Sequence, residues 1–209
     1  MSFIQFALES KVLKFGEFTL KSGRLSPYFF NAGLFNTGYQ LATLADHYAQ
    51  TIKDSDVEFD VLFGPAYKGI PLVAAISTIL ATKYDIDMPY AFDRKEAKKH
   101  GEGGVFVGAD MTDKKVLLID DVMTAGTAFF ESKVKLDTIN AKIAGVALSI
   151  DRQEIAKDST TSATKKISQD YNIPVMAITN FSDIYDYAKN NLDSATISKF
   201  EEYRKQYGA

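Results

Sequence analysis

Hydrophobic positions repeat along this chain in two alternating ways. Leu41, Leu44, Ala45, Tyr48, Ala49 and Ile52 recur at helical spacing and predict an amphipathic helix. Short continuous apolar runs then alternate with further helical stretches. Runs at Asp60–Phe63, Pro89–Phe92, Lys115–Ile119, Ile143–Ile150 and Pro174–Ile178 read as strands. Between and after them, Gly69–Thr82, Gly126–Asn140, Ser162–Asn172, Ser182–Asn190 and Ser194–Tyr207 read as helices, with Pro71 in a first helical turn, where a missing N–H costs nothing. The start of the chain departs from this alternation. Ile4, Leu8, Val12 and Phe15 share one helical face, predicting a helix over Ser2–Phe15. Phe18–Leu20 and Ser26–Phe30, with a turn at Ser22-Gly23, follow as two short strands.

Strands alternating with helices predict an α/β fold, a parallel sheet with helices on both faces. The unbroken Val116-Leu-Leu-Ile119 run suits a strand buried on both faces. Ligands of such sheets bind beyond the carboxyl ends of the strands, so the loops after Phe63, Phe92, Ile119 and Ile150 are the places to look. The first ~35 and last ~30 residues fall outside the alternation and are expected to cap the sheet's edge.

Composition narrows the chemistry. The 209 residues contain no Cys and two His, His47 and His100, which excludes disulfides, thiolate chemistry and multi-histidine metal sites. Lys and Arg number 24 against 27 Asp and Glu, a net charge of −3, so there is no overall basic footprint for nucleic acid. The longest apolar stretch, Ile70–Ala81, falls short of the roughly 20 residues that span a bilayer. The first fifteen residues lack the apolar core of an export signal, and the expectation is a cytoplasmic protein.

The strongest local pattern is Val116-Leu-Leu-Ile-Asp120-Asp121-Val122-Met123-Thr124-Ala125-Gly126-Thr127-Ala128. A strand ends in two acids, and a loop of small residues then opens a helix. Accessible backbone N–H groups and the positive end of a helix make an anion site suited to a phosphate monoester. Thr124 and Thr127 can add hydroxyl donors. The two acids suit sugar hydroxyls or a Mg²⁺ beside them. Phosphate and diol receptors side by side describe a ribose 5-phosphate. On these residues alone, an acid at a strand end and a Thr capping a helix fit equally well. The pattern is neither a Gly-x4-Gly-Lys-Ser/Thr loop nor a Gly-x-Gly-x-x-Gly fingerprint.

This element resembles the diphosphate-sugar signature of the type I phosphoribosyltransferases. Further segments resemble the bacterial-type branch that acts on orotate. They are Phe18–Arg24, Ser26–Gly33, Gly64–Pro71, Arg94–Gly104 and Ser149–Glu154. The resemblance implies a Rossmann-like type I fold in a single domain over 1–209. Residues 1–35 would be mostly hood and 36–209 the core, with a mobile lid at 94–108. It implies pentosyl transfer from 5-phosphoribosyl 1-diphosphate (PRPP) to orotate, with Mg²⁺ carried mainly by PRPP rather than by protein ligands. It also implies a homodimer in which Lys98 and His100 reach the neighbouring site, with neither nucleic acid nor membrane as partner.

Roles follow by the same resemblance. PRPP would be held by Lys21, Tyr67, Lys68, Arg94, Lys95, Lys98, His100 and the stretch Asp120, Asp121, Val122, Met123, Thr124, Ala125, Gly126, Thr127 and Ala128. Lys98, Lys68, Asp120, Asp121 and His100 form the catalytic set. Orotate would meet Lys21, Phe29, Phe30, Thr124 and Arg152. The chemistry agrees: a flat ring wants an aromatic wall, and a carboxylate wants the two-pronged guanidinium. Without the resemblance, Phe29-Phe30 reads as core packing, Arg152 as an ion pair with Asp151 or Glu154, Lys68 as a solvated cation and 94–108 as a surface loop. Two rivals remain: transfer to a purine base, and a nucleotide-sensing regulator that binds nucleic acid.

Overall fold

The structure is a computed structural model and describes residues 1–20, 22–98, 104–156 and 159–209. After a short N-terminal helix, α1 (Phe3–Glu9), come the strands β1 (Leu13–Thr19) and β2 (Leu25–Phe30) and the helix α2 (Gly38–Lys53). The alternating body is β3 (Val61–Gly64), α3 (Gly69–Tyr84), β4 (Tyr90–Lys98), β5 (Gly104–Gly108), β6 (Lys115–Val122), α4 (Thr127–Asp137), β7 (Lys142–Asp151), α5 (Ala163–Tyr171) and β8 (Val175–Asn180). Helices α6 (Phe181–Asn191) and α7 (Ser194–Tyr207) close the chain.

Six strands form one sheet in the order β5-β4-β3-β6-β7-β8, and every neighbouring pair is parallel except β4 with β5. The central strands are apolar through their middles because both faces are covered there. Leu62, Leu117, Ile119 and Ala147 enter the core shared with α1, α2, α3, α6 and α7. Val61, Phe63, Val116, Leu118, Val146 and Leu148 enter the core shared with α4 and α5. The period-two alternation of a strand thus sorts consecutive apolar residues onto two helical layers. The predicted α/β sheet with helices on both faces is the architecture observed. Among the described residues no helix is long and apolar enough to cross a membrane.

Strands β1 and β2 pair antiparallel as a separate hairpin. Tyr28 of β2 is buried with its ring stacked on Phe200 of α7 and tilted against Phe181 of α6. The two ends of the chain therefore pack on each other.

Two expectations about elements need correction. The helix over Ser2–Phe15 ends at Glu9, because Lys11 takes a left-handed φ of 58° and the N–H of Val12 turns back to the carbonyl of Ala7. Val12 and Leu13 are then buried in succession as the chain enters β1. The buried face of α1 is Phe3, Phe6 and Ala7. The strand read as Pro89–Phe92 also runs on to Lys98 and turns back as β5, a strand the apolar pattern did not reveal. Beyond Phe92, β4 turns polar at Asp93, Arg94, Lys95 and Glu96, whereas β5 carries Val105, Phe106 and Val107 between two glycines. Segment 94–108 is thus largely an antiparallel ribbon, and 99–103 lie outside the described residues.

Candidate functional site

Strands β3, β6 and β7 are parallel neighbours, so the segments that follow them emerge at one end of the sheet. Asp120 and Asp121 are among the last residues of β6. Their backbone is pinned from both sides. The Tyr48 hydroxyl on α2 donates to the carbonyl of Asp120 at 2.7 Å, and Ser149 Oγ on β7 donates to that of Asp121 at 2.6 Å. The N–H of Asp121 donates to Asp120 Oδ1 at 2.8 Å. Asp121 is buried and pairs with Lys68, Nζ to Oδ2 at 2.5 Å. Burial, followed by the charge of Asp121, pushes the Asp120 carboxyl up to about 6.

Past Val122 and the buried Met123, the chain exposes Thr124 and Ala125. Gly126 then caps α4 at a φ of +75°, where a Cβ would also come within 3.0 Å of Ile167 Cδ1. Glycine meets both demands. No side chain caps this helix, Thr127 at its first position is exposed, and Ala128 is half-buried. The first N–H groups of α4 therefore face outward without an internal acceptor, beside two carboxylates.

The loop after β3 is equally tight. A Cβ on Gly64 would lie 2.2 Å from the carbonyl oxygen of Gly69, so the turn closes only with glycine there. The N–H of Ala66 donates to Oδ1 of Asp93 at 2.6 Å. Asp93, a buried acid on β4, also pairs with Lys135 of α4. Tyr67 is exposed, with Lys95 Nζ 5.0 Å above its ring centroid. Arg94 Nη1 donates to the carbonyl of Gly104 across the ribbon at 3.4 Å. Lys98 ends β4, but its side chain, and His100 and Lys21 entirely, lie outside the described residues.

Arg152 stands one residue past β7, at the same end of the sheet. It is buried. Nε donates to Glu154 Oε1 at 2.5 Å, and Nη2 donates to Ser26 Oγ at 3.2 Å and to the Tyr203 hydroxyl at 3.3 Å. Its guanidinium carbon lies 4.4 Å from the Tyr28 ring centroid. Burial opposes the cation, but Tyr28, Glu154 and Tyr203 hold its pKa above the ordinary value. The ion pair with Glu154 that the bare sequence allowed is therefore present. Phe29 and Phe30 split: Phe30 is buried against Phe3, whereas Phe29 is half-buried beside Phe18 at 5.5 Å.

The fold therefore gathers Lys68, Asp120 and Asp121 directly, and sets the α4 N-terminus and Arg152 at the same end of the sheet. Four residues in the support of these groups escaped the sequence reading: Tyr48, Asp93, Ser149 and Tyr203. Each acts through a partner distant in the chain, and the one available signal was an acid, Asp93, closing an otherwise apolar strand run. Among the described residues no three His, Asp or Glu side chains gather as a metal site. Asp120 and Asp121 suit a Mg²⁺ that keeps most of its ligands as water and substrate oxygens.

Residues 35–177 match the phosphoribosyl transferase domain family. An orotate phosphoribosyltransferase of Kluyveromyces lactis is 51% identical over 100% of this chain and 95% of its own length. That of Vibrio vulnificus is 52% identical over 99% of this chain and 96% of its own. The crystal structure of orotate phosphoribosyltransferase from Francisella tularensis superposes with a TM-score of 0.94 at 75% identity, covering 99% of each chain.

Proposed function

Because the chain belongs to the orotate phosphoribosyltransferases of the phosphoribosyl transferase domain family, we propose a division of its site into a sugar-phosphate cradle, a diphosphate cradle and a base pocket. The enzyme transfers the 5-phosphoribosyl group from PRPP to orotate, giving orotidine 5′-monophosphate and diphosphate in pyrimidine biosynthesis. The observation that carries the division is the uncapped N-terminus of α4 behind Asp120-Asp121, tied to the opposing loop through Lys68.

The 5-phosphate belongs on the N–H groups from Thr124 to Ala128, with the Thr124 and Thr127 hydroxyls beside them. Asp120 and Asp121 take the ribose hydroxyls. The diphosphate lies against the Gly64–Gly69 backbone, with Lys68, Arg94 and Lys95 supplying charge. Orotate lies toward Lys21, Phe29, Phe30 and Arg152, its carboxylate on the guanidinium.

In the reaction the bond from the anomeric carbon to diphosphate breaks, and its electron pair leaves with the diphosphate. The nitrogen lone pair of the orotate anion forms the new bond. Positive charge grows on the ribose ring between the two events. Asp120 and Asp121 lie where that charge develops, and the cations lie where the negative charge departs. The protein supplies positioning and fixed charge rather than a covalent intermediate. Mg²⁺, bound mainly through PRPP, supplies further neutralisation of the diphosphate.

We assign Lys98 and His100 to the lid, reaching the site of a second subunit in a homodimer, with Lys98 bonding or protonating the leaving diphosphate. The ribbon geometry of β4 and β5 supports a projecting arm. Two anionic substrates that do not cross membranes unaided support a cytoplasmic location. The direct test mixes the protein with orotate, PRPP and Mg²⁺ and follows the loss of orotate absorbance, with hypoxanthine, adenine and uracil as competing bases. Turnover of orotate alone, abolished by EDTA, is the expected result. Turnover of a purine would overturn the base assignment.

A further inference from the structure

We propose that Tyr203, on the C-terminal helix α7, is a positioning residue for the base pocket, holding the Arg152 guanidinium in place together with Glu154. This rests on the reading that Arg152 receives the orotate carboxylate.

The three side chains close a ring of hydrogen bonds. Arg152 Nε donates to Glu154 Oε1 at 2.5 Å. The Tyr203 hydroxyl donates to that same oxygen at 2.7 Å. Arg152 Nη2 donates to the Tyr203 hydroxyl oxygen at 3.3 Å. A phenol has one hydrogen to give and lone pairs to receive, so Tyr203 meets the acceptor and the donor at once. No other neutral side chain of that shape does so. Tyr203 is 3% exposed, and burial followed by the Glu154 charge pushes its hydroxyl up to about 12, so it stays a neutral donor throughout the working range.

The ring is anchored on both sides. Glu154 Oε2 accepts from Arg24 Nη1 at 3.0 Å, and Arg24 Nη2 donates to the carbonyl of Ile155 at 2.7 Å. The Tyr207 ring lies 4.8 Å from the Arg24 guanidinium carbon and 5.0 Å from the Tyr203 ring. The backbone repeats the connection: the N–H of Ile155 donates to the carbonyl of Tyr207 at 2.8 Å, and that of Ala209 donates to Gln153 at 2.9 Å. The segment carrying Arg152 is thus strapped to the end of α7. With Nε given to Glu154 and Nη2 to Ser26 and Tyr203, Nη1 is the nitrogen that can turn to the orotate carboxylate, and its direction depends on the plane in which the guanidinium is held. Glu154 and Tyr203 fix that plane from its edge while the Tyr28 ring supports its face.

Tyr203→Phe keeps the ring and removes the hydroxyl. We expect KM for orotate to rise about 3- to 10-fold, the loss of a typical hydrogen bond, with KM for PRPP and kcat within twofold of wild type. Glu154→Gln should act in the same direction. A purely structural Tyr203 would lower the melting temperature and leave both KM values alone, which would overturn the proposal. So would an equal rise in the two KM values. Arg152→Gln, measured alongside, separates the two levels. If it raises KM for orotate while Tyr203→Phe does not, the positioning role fails and the base pocket stands. If Arg152→Gln itself leaves orotate untouched, the base pocket fails and takes this inference with it.

Discussion

Lys68 Nζ donates to Asp121 Oδ2 at 2.5 Å, so the cation assigned to the diphosphate is held by an acid assigned to the ribose. The pair spans the two loops, and a ligand seated between them must separate its members. On the proposed reading, diphosphate would offer Lys68 a stronger anion, and the ribose hydroxyls would take Asp121 in exchange. The Lys68 side chain is 57% exposed, so the pair itself contributes no more than about 1 kcal/mol to folding. Lys68→Ala is therefore expected to melt near the wild-type temperature. Its kcat/KM for PRPP should fall about 10- to 100-fold, with KM for orotate little changed. Steady-state kinetics with each substrate varied in turn checks this, and equal loss on both substrates would remove Lys68 from the diphosphate cradle.

Asp120 makes stability and activity pull apart. Its carboxyl is pushed from 3.8 up to about 6, by burial first and the Asp121 charge second. A raised folded-state value means that the fold prefers the protonated form. Its stabilisation is full below 3.8 and is lost as pH rises through about 6. At pH 8 the native state thus carries a carboxylate it would rather protonate. Asp120→Asn should raise the melting temperature at pH 8, with the gain shrinking toward pH 4. The same substitution should cost catalysis, because the amide cannot offset positive charge on the ribose. In the wild type, kcat/KM should decline below pH 6, and the variant's profile should lack that limb. A melting temperature lowered at pH 8 would show that Asp120 holds the fold rather than straining it.

Asp93 joins the two anion cradles from beneath. Its buried carboxylate accepts the Ala66 N–H of the diphosphate loop and pairs with Lys135 on α4, the helix whose other end forms the phosphate cradle. Asp93→Ala leaves a backbone donor and a cation without their acceptor, a loss of about 3 kcal/mol. KM for PRPP should rise while KM for orotate stays. Asp93→Asn combined with Lys135→Met restores an acceptor for Ala66 and removes the orphaned charge, so it should recover most of the melting temperature. A double variant no more stable than Asp93→Ala would show that the ion pair itself is what the site requires.

The contrast between these residues explains what the sequence could and could not disclose. The Asp120–Ala128 element is local: strand, acids, small loop and helix follow in order, so its chemistry can be read from consecutive residues. Helix α5 likewise announces its ends, with Ser162 capping one and a left-handed Asn172 the other. Strand β5 carries only the three apolar residues Val105-Phe106-Val107 between two glycines, a run too short to stand out from the glycine-rich stretch around it. Asp93 meets Lys135 across 42 positions and Arg152 meets Tyr203 across 51, distances at which composition and spacing carry no information. Which polar residue supports which depends on the strand order, and β3 lies between β4 and β6 only after the chain has crossed over.

The shared lid can be tested by mixing two inactive enzymes. Lys98→Ala should lower turnover by orders of magnitude with the fold intact, and Asp120→Asn should do so from the opposite side of the reaction. If Lys98 serves the neighbouring subunit, a hybrid of the two variants contains one site with an intact Asp120 and an intact incoming Lys98. Its other site carries both defects. Co-expressed at equal levels, half of the dimers are hybrids, and activity should return to about a quarter of wild type. If each lid closes over its own subunit, every site in every dimer keeps one defect and mixing restores nothing. Sedimentation of the co-expressed sample establishes the dimer independently, so an inactive hybrid argues against the exchanged lid and an active one establishes it.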